Sequence, residues 1–496
     1  MFTQNWRQYW GLKEDAFACE DADKDLILSA VDPAAVHSGF DRIFGNPKVP
    51  APGIVFGEKG SGKSGLRLMM RRWIERHNKR SADERVFCIE YIDFDSGIEN
   101  VQQLLHPRGG EKAARKVLEQ WEISDHLDSI LSLGVTQLVD DLTESGESPT
   151  DATPKQRTDL LLLTSLYYNS PKRSVTEAVR AMRGLLKLGN VRSGGLWTAR
   201  IIASAVAIAV GLLPHFVDAE GLGPTGLWHA IGGAGLAAIW LWTLLGWITI
   251  NSTSSRAARS VRVLPRDPAL VRSVLLGVKP KDRKDYVMPV AVDAATRYEM
   301  LDHFLGILRR VGYTGCYVLM DRIDEPSLLS GSDDRMRSFL EKILDIKLLQ
   351  YPGLALKLFL PIEMETIYRN ASPEELKRMR LDKSNLIPEL KWTGQELYEI
   401  SNQRLRACLE PDSKIKDLSD LFAEDVDMAH LRDTLHALGT PRYTFGFLSA
   451  LFLEHVRELP NELAGDDPRW KCPLAHFDVV RAAWIDRTGV LRRSLN

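Results

Sequence analysis

The sequence predicts an α/β fold in which a parallel sheet with flanking helices is interrupted by a helical insert and followed by a C-terminal helical lid. Three observations predict this fold. A glycine-rich loop lies between a strand-like and a helix-like run near residue 60. A second strand-like run ends in acidic residues near residue 321. Two long apolar stretches lie between these segments.

The glycine-rich segment is GEKGSGKS, residues 57–64, which follows the apolar run Ile54–Phe56. It meets the pattern G-x-x-x-x-G-K-[ST], in which glycines let successive backbone N–H groups point at phosphate oxygens. The helix-like run after it would direct its positive end at the same phosphates. The pattern therefore predicts the P-loop of a nucleoside-triphosphatase core. A glycine- and serine-rich surface turn is the alternative.

The loop residues have separate predicted roles. Lys63 would bind the β- and γ-phosphates, and the Ser64 hydroxyl would hold Mg²⁺. The residues expected to contact the nucleotide are Gly57, Glu58, Lys59, Gly60, Ser61, Gly62, Lys63 and Ser64.

The acidic segment is CYVLMDRIDE, residues 316–325. Its continuous apolar run is typical of a buried parallel strand. Such a strand would bring Asp321 to the sheet edge, where it would anchor Mg²⁺. Asp324 and Glu325 follow at a distance where a carboxylate polarises an attacking water, and the pattern does not choose between them. A strand that ends in a solvated acidic turn is the alternative.

Composition limits the class of protein. The 496 residues suffice for two to four domains, and a net charge of −2 gives no indication of a nucleic-acid partner. The five cysteines form no C-x-x-C pair, as expected in a reducing compartment without a metal cluster. The polar, acidic start does not resemble a signal peptide, so membrane insertion would have to come from within the chain.

Residues 197–217 and 227–250 are the two apolar stretches, and Arg200 is their one fully charged residue. As helices they would reach roughly 31 and 36 Å, enough to cross a hydrocarbon layer of about 30 Å. The connector, residues 218–226, has two acids and no Lys or Arg, whereas both flanks are rich in Arg and Lys. This asymmetry predicts an inner-membrane hairpin with both termini in the cytoplasm. A buried soluble hairpin is the alternative.

Small residues recur every four positions in both stretches, which favours close helix packing in lipid. They are Ala203, Ala207 and Gly211 in the first, and Ala230, Ala234 and Ala238 in the second.

These features divide the chain into five predicted parts. Residues 1–98 hold the N-terminal segment and the first half of the core, and residues 251–370 hold its second half. Residues 99–195 form the helical insert, 196–250 the membrane hairpin and 371–496 the helical lid. Within the lid, Thr393 and Glu396 predict a helix start of the capping-box type.

The loop, the acidic segment and GTPR, Gly439 to Arg442, together resemble the AAA+/STAND ATPases. Membrane helices between the two nucleotide motifs resemble the KAP branch. The resemblance implies ATP and Mg²⁺, with Asp321 on the metal and Glu325 or Asp324 on the water. It also implies Arg442 as a lid sensor of the γ-phosphate, and self-association through the nucleotide domain. Arg322 occupies a position that is small in the NACHT-like branch.

Three functions follow as hypotheses. The first is a membrane-anchored ATPase that switches conformation or assembly on the cytoplasmic face; by resemblance, such bacterial switches serve signalling or defence against phage. The second is a binding module or scaffold that holds ATP as a latch and rarely hydrolyses it. The third is a pore assembled from several hairpins, against which neither apolar stretch has the charged residues expected along a conducting path. The sequence does not identify a protein partner.

Overall fold

The structure, a computed structural model, describes residues 2–18, 22–29, 31, 37–81, 84–106, 116–149, 151–188, 193–216, 224–378, 385–460 and 463–495. The chain divides into two compact units. The first, here called the sheet unit, comprises Met1–Phe94 and Gly312–Asn496. The second, the helical unit, comprises Asp95–Val311.

The sheet unit contains a parallel five-stranded sheet with the strand order β2-β3-β4-β1-β5. Its strands are β1 (Gly53–Gly57), β2 (Arg85–Tyr91), β3 (Tyr313–Met320), β4 (Leu354–Pro361) and β5 (Leu386–Ile387). Every residue of β1 and β4 is buried, as expected for central parallel strands that are covered on both faces. The predicted mixed α/β architecture with a parallel sheet is confirmed.

Helices surround this sheet in the same unit. They are α1 (Phe2–Trp10), α2 (Phe40–Phe44), α3 (Lys63–Arg80), α12 (Asp333–Ile343), α13 (Ile346–Leu349), α14 (Glu365–Arg369), α15 (Pro373–Arg378), α16 (Gly394–Ala407), α17 (Met428–Leu438), α18 (Pro441–Glu458) and α19 (Leu474–Leu495). The capping box of Thr393 and Glu396 starts α16 as predicted. The strand β5 was missed, because it lies inside the predicted helical lid and is too short to show a pattern.

The helical unit consists of α4 (Asp95–Leu105), α5 (Ile123–Ser145), α6 (Pro154–Tyr167), α7 (Val175–Leu185), α8 (Ser193–Leu212), α9 (Thr225–Ser260), α10 (Pro268–Leu276) and α11 (Ala294–Arg310). The predicted boundary at residue 251 differs from the structure, which places residues 251–311 in this unit. Buried ion pairs explain the difference. Arg262 pairs with Asp125, and the fully buried Arg297 contacts the fully buried Asp128 over 3.1 Å.

The helices α8 and α9 are the two elements, among the described residues, that are long and apolar enough to cross a membrane. The second predicted span ends at residue 250, but α9 continues to Ser260, and its last turns bury Ser254 and Ala257. The first helix ends earlier than predicted, at Leu212, because Pro214 lies in the 3-10 turn that follows it. Most of the predicted connector lies outside the described residues.

Small residues do form the contact between α8 and α9, but partly different ones from those predicted. A Cβ added to Gly232 would lie 2.7 Å from both the carbonyl oxygen of Ala207 and the Cα of Gly211. The prediction was right about these two residues of α8. It was wrong about Ala203 and about the alanine row of α9 (Ala230, Ala234 and Ala238), all of which are exposed. Glycine occupies the contact position in α9 because it allows the two helix backbones to approach more closely than alanine does.

Candidate functional site

The glycine-rich loop, residues 57–64, joins the end of β1 to the start of α3. Gly60 and Gly62 have φ angles of +89° and +94°, in the left-handed region that side chains other than glycine rarely adopt. Space is also short. A Cβ on Gly60 would lie 3.0 Å from the side chain of Arg442, and one on Gly62 would lie 3.2 Å from the ring of Trp392. The backbone conformation therefore favours glycine at these two positions, and the packing leaves little room for a Cβ.

The Lys63 side chain folds back over this loop. Its Nζ donates to the carbonyl oxygens of Gly57 over 2.6 Å and of Glu58 over 3.0 Å. Burial lowers the pKa of Lys63, and the nearby carboxylates of Asp321 and Asp324 counteract that effect. The lysine is thus a partly desolvated cation beside the loop, which is a favourable position for binding an anionic oxygen.

Asp321 follows β3 directly and lies at the same edge of the sheet as the loop. The reason is the strand order, since β4 pairs with both β1 and β3 in parallel. Asp321 is 2% exposed, and its Oδ2 accepts from Nε of Arg67 over 3.1 Å. Asp321, Lys63 and Ser64 all line one cavity. The structure therefore brings the two predicted motifs together, although the chain separates them widely.

Asp324 and Glu325 have different surroundings. Asp324 is half-buried, and it is one of the carboxylates whose charge acts on Lys63. Glu325 is exposed, and its Oε2 accepts from Nη1 of Arg322 over 3.3 Å. Desolvation raises the pKa of Glu325, and the charge of Arg322 partly offsets this rise. Both carboxylates line the cavity, so the geometry leaves both as candidate bases.

Arg67 links three carboxylates and was missed by sequence reasoning. Its guanidinium is 0% exposed and pairs with Asp23, Glu90 and Asp321. Buried charges need such partners, because desolvating an unpaired ion is costly. A signal was present in the sequence: Arg67 interrupts an otherwise apolar stretch of α3, and Glu90 does the same in β2. Neither residue's partner could be read from that pattern.

Arg442 lies against the loop, as its predicted role requires. Gly439 ends α17 in the left-handed conformation, and Thr440 caps α18 by accepting from the backbone N–H of Tyr443. The segment GTPR is therefore a helix–helix junction. It places the backbone N–H of Arg442 3.4 Å from the carbonyl oxygen of Gly60. The Arg442 side chain is exposed, and its charge lowers the pKa of Lys63 as a minor contribution after burial.

The cavity at this site has a volume of about 560 Å³. Its charged wall comes from the loop and the acidic segment. Four large apolar or aromatic side chains also line the cavity and are here called the apolar wall: Leu28, Trp392, Ile400 and Phe445. The buried guanidinium of Arg404 lies 4.6 Å from the centre of the Phe445 ring. Sequence reasoning found none of these five residues. They come from an N-terminal segment, from α16 and α18, and from the segment just before α16, and only the fold brings these together.

The residues present fit a nucleotide and a divalent cation. The loop offers backbone N–H groups at the start of α3, and Lys63 supplies positive charge. Of the predicted loop contacts, Lys59, Gly60, Gly62, Lys63 and Ser64 line the cavity, whereas Gly57, Glu58 and Ser61 are not among its lining residues. Ser64 and Asp321 supply oxygen ligands of the kind that Mg²⁺ prefers. Within the described part of the chain, no group of three or more His, Cys, Asp or Glu side chains could hold a metal alone. Phosphate oxygens would have to complete the coordination.

Comparison of the chain with protein-family models, with curated proteins and with solved structures gives no match in any of the three.

Proposed function

We propose that this chain is a membrane-anchored P-loop ATPase in which ATP binding and hydrolysis switch conformation or assembly on the cytoplasmic face. One observation carries the proposal. Lys63, at the end of the glycine-rich loop and the start of α3, lies within electrostatic range of Asp321, Asp324 and Arg442. Three separate sequence segments, each with a predicted part in the chemistry, thus meet around one cation.

Each residue has a defined role in this proposal. Lys63 and the loop N–H groups bind and orient the phosphates, while Ser64 and Asp321 hold Mg²⁺. The metal supplies charge neutralisation at the phosphoryl group. Asp324 or Glu325 accepts a proton from the attacking water. The apolar wall would hold the adenine ring of the nucleotide, with Leu28 and Phe445 in contact with the ring.

Nucleotide binding is tested with purified full-length protein in detergent. The substitution Lys63→Ala should lower ATP affinity by at least about tenfold, because a charge-assisted contact in a sheltered site is lost. The matched control is Lys79→Ala, an exposed lysine at the far end of the same helix. Equal ATP affinity in both variants and the parent would show that the loop is not the site.

The choice of base is tested by turnover. Asp324→Asn and Glu325→Gln keep the size of each side chain but remove its ability to take a proton. The variant of the true base should bind Mg²⁺–ATP normally and hydrolyse it much more slowly. If both variants hydrolyse ATP at the parent rate, neither residue is the base.

A nucleotide-latched scaffold is the second candidate function, and the pairing of Glu325 favours it. The contact with Arg322 occupies one oxygen of the Glu325 carboxylate, so that oxygen is not available to a water molecule while the contact lasts. Under this alternative, the purified protein binds ATP but shows no steady turnover. Release of phosphate over many cycles would exclude the latch.

The membrane anchor is proposed from the surfaces of α8 and α9. Their large apolar side chains face outward instead of into a protein core, which is unusual in water. The exposed set is Ile201, Ile202, Val206, Ile208, Leu212, Leu227, Ile231, Trp240, Leu241, Trp242, Leu244, Leu245, Trp247 and Ile248. This exposure argues against the buried soluble hairpin.

Orientation is tested by cysteine labelling of intact cells. Thr225→Cys, in the predicted connector, should react with an impermeant maleimide from outside, whereas Thr176→Cys should react only after permeabilisation. Both positions are exposed. Ser260 is unsuitable as a label site because it is buried. Labelling of both sites, or of neither, in intact cells would contradict the predicted topology.

Assembly is the remaining part of the proposal. Arg200 is the one fully charged residue in the two predicted spans, so a conducting path lined by charge has little support. Self-association through the sheet unit is the form of switching that the resemblance implies. Mass measurement in detergent, with ATP and with ADP, tests it: a nucleotide-dependent change in oligomer size is expected.

A further inference from the structure

The carboxylate of Asp23, in the N-terminal segment, contacts two arginines. Each of these arginines also contacts one predicted site residue, Asp321 or Glu325, here called the motif carboxylates. Asp23 lies in a short 3-10 helix, Ala22–Lys24. Its Oδ1 accepts from Nη2 of Arg67 over 2.5 Å, and its Oδ2 accepts from Nη2 of Arg322. Arg67 in turn contacts Asp321, and Arg322 contacts Glu325. Each oxygen of Asp23 thus begins a separate branch that ends at one motif carboxylate.

The backbone at Arg322 supports a specific role for that side chain. Its φ is +64°, in the left-handed region that disfavours arginine and favours glycine. The sequence therefore keeps an arginine where its backbone is unfavourable. Its guanidinium contacts Asp23 and Glu325, and these ion pairs offset part of the backbone strain at Arg322.

Within each branch, Asp23 and one motif carboxylate contact the same arginine. Arg67 divides its guanidinium among Asp23, Glu90 and Asp321. Without Asp23, more of its charge would be concentrated on Asp321, where it competes with a metal ion. Arg322 divides its charge between Asp23 and Glu325 in the same way. Asp23 therefore weakens the hold of both arginines on the motif carboxylates.

We propose that Asp23 is a positioning residue that keeps Asp321 available to Mg²⁺ through Arg67 and keeps Glu325 available to the attacking water through Arg322. The inference rests on the proposed ATPase function with Glu325 as the base. Asp23 touches neither nucleotide nor metal in this scheme. It acts through the two arginines, and it makes the N-terminal segment part of the control of the site.

The test uses full-length protein and two readouts: the Mg²⁺ concentration that half-saturates binding of a non-hydrolysable ATP analogue, and ATP turnover at saturating Mg²⁺. Asp23→Asn should raise the half-saturating Mg²⁺ concentration about fivefold and lower turnover by a similar factor, as expected for charge contacts in a partly exposed cluster. Binding of the nucleotide without Mg²⁺ should not change.

Two variants separate the branches. Glu90→Gln alters the Arg67 branch alone, since Glu90 contacts Arg67 and Arg71. It should raise the Mg²⁺ requirement and leave turnover at saturating Mg²⁺ unchanged. Arg322→Gly alters the other branch, and glycine accepts the backbone conformation there. It should raise turnover and leave the Mg²⁺ requirement unchanged. In Asp23→Asn/Arg322→Gly, the turnover loss should disappear while the Mg²⁺ effect persists.

The outcomes distinguish the inference from the function on which it rests. If the parent protein binds no ATP analogue, the proposed function itself fails. If the parent binds it with Mg²⁺ but Asp23→Asn leaves both readouts unchanged, the positioning role is overturned and the ATPase proposal stands. An equal turnover loss in Asp23→Asn with and without Arg322→Gly would overturn the Glu325 branch.

Discussion

The indole Nε1 of Trp392 donates to the backbone carbonyl oxygen of Ser61 over 2.6 Å. This bond joins the tip of the glycine-rich loop to the residue that precedes the cap of α16. Ser61 is 1% exposed and Trp392 is 5% exposed, so water does not replace the contact. The loop conformation therefore depends on the C-terminal helices as well as on its own glycines.

Trp392→Phe should destabilise the loop, because the buried carbonyl oxygen of Ser61 loses its donor. An unsatisfied buried acceptor costs about 1–3 kcal/mol. A lower melting temperature and weaker ATP binding are expected together. The control is Trp470→Phe, which removes a similar indole-to-carbonyl bond at an exposed position, to Ala464. If both variants behave alike, the Trp392 bond has no special link to the loop.

The contact between α8 and α9 is tested by two adjacent glycines. A side chain at Gly232 would collide with the backbone of Gly211, whereas a Cβ at Gly233 has nothing within 4 Å. Gly232→Val should therefore separate the helices and cost about 1–3 kcal/mol of overpacking, while Gly233→Val should be nearly neutral. Thermal unfolding in detergent compares the two. Equal destabilisation would show that the helices do not pack at this face.

Part of the sheet could be predicted because β1 and β3 are apolar runs that lead into recognisable motifs. A central parallel strand is buried on both faces, so its sequence is mostly apolar and easy to recognise. The strand β4 has this composition apart from Lys357, which is buried. The strand β5 has two residues, and its place beside β1 is fixed by pairing that leaves no local pattern.

The site was predictable only where one local motif carries the chemistry. The loop and Asp321 belong to such motifs, and the structure brings them to one edge. Asp23 contacts both Arg67 and Arg322 across long stretches of chain, so no spacing rule connects these residues. The prediction of the residues in the contact between α8 and α9 failed for a related reason. The four-residue spacing in α9 pointed to Ala230, Ala234 and Ala238, whereas the contact uses Gly232, whose neighbours at that spacing, Trp228 and Leu236, are large.

Lys357 gives a pH-dependent prediction within the sheet unit. Its Nζ donates to the carbonyl oxygens of Ile43, Phe44 and Ala51, over 2.6, 3.1 and 2.7 Å. Burial lowers the pKa of Lys357 to about 7. The unfolded chain has a lysine pKa near 10.4 and so binds more protons than the folded chain between about pH 7 and 10.4. Stability from this group should therefore rise with pH across that window.

The variant Lys357→Met removes this titration and serves as the reference. The stability of the parent relative to the variant should increase by up to about 1.4 kcal/mol per pH unit above pH 7. Melting temperatures of both proteins between pH 7 and 9 measure the difference. Parallel pH curves would mean that Lys357 keeps an ordinary pKa in the folded chain.

Arg442 tests whether the nucleotide changes the C-terminal helices. Its side chain packs against Gly60, and its position at the start of α18 lets the guanidinium turn towards a γ-phosphate bound at the loop. A charge-assisted bond there is worth about 1.5–3 kcal/mol, roughly a ten- to hundredfold bias towards one arrangement. ADP lacks the γ-phosphate and would not produce that bias.

Arg442→Ala should therefore still bind ADP but lose the ATP-dependent protection of α18 from hydrogen exchange. The control is Arg457→Ala, at the far end of the same helix, where the exposed arginine pairs with Glu454. That variant should keep the difference between the ATP and ADP states, because its guanidinium pairs within its own helix. A ligand shifts a conformational equilibrium only through different affinities for the two states. If Arg442→Ala retains the full ATP-dependent protection, Arg442 does not supply that difference, and the γ-phosphate must be sensed by another group at the cavity.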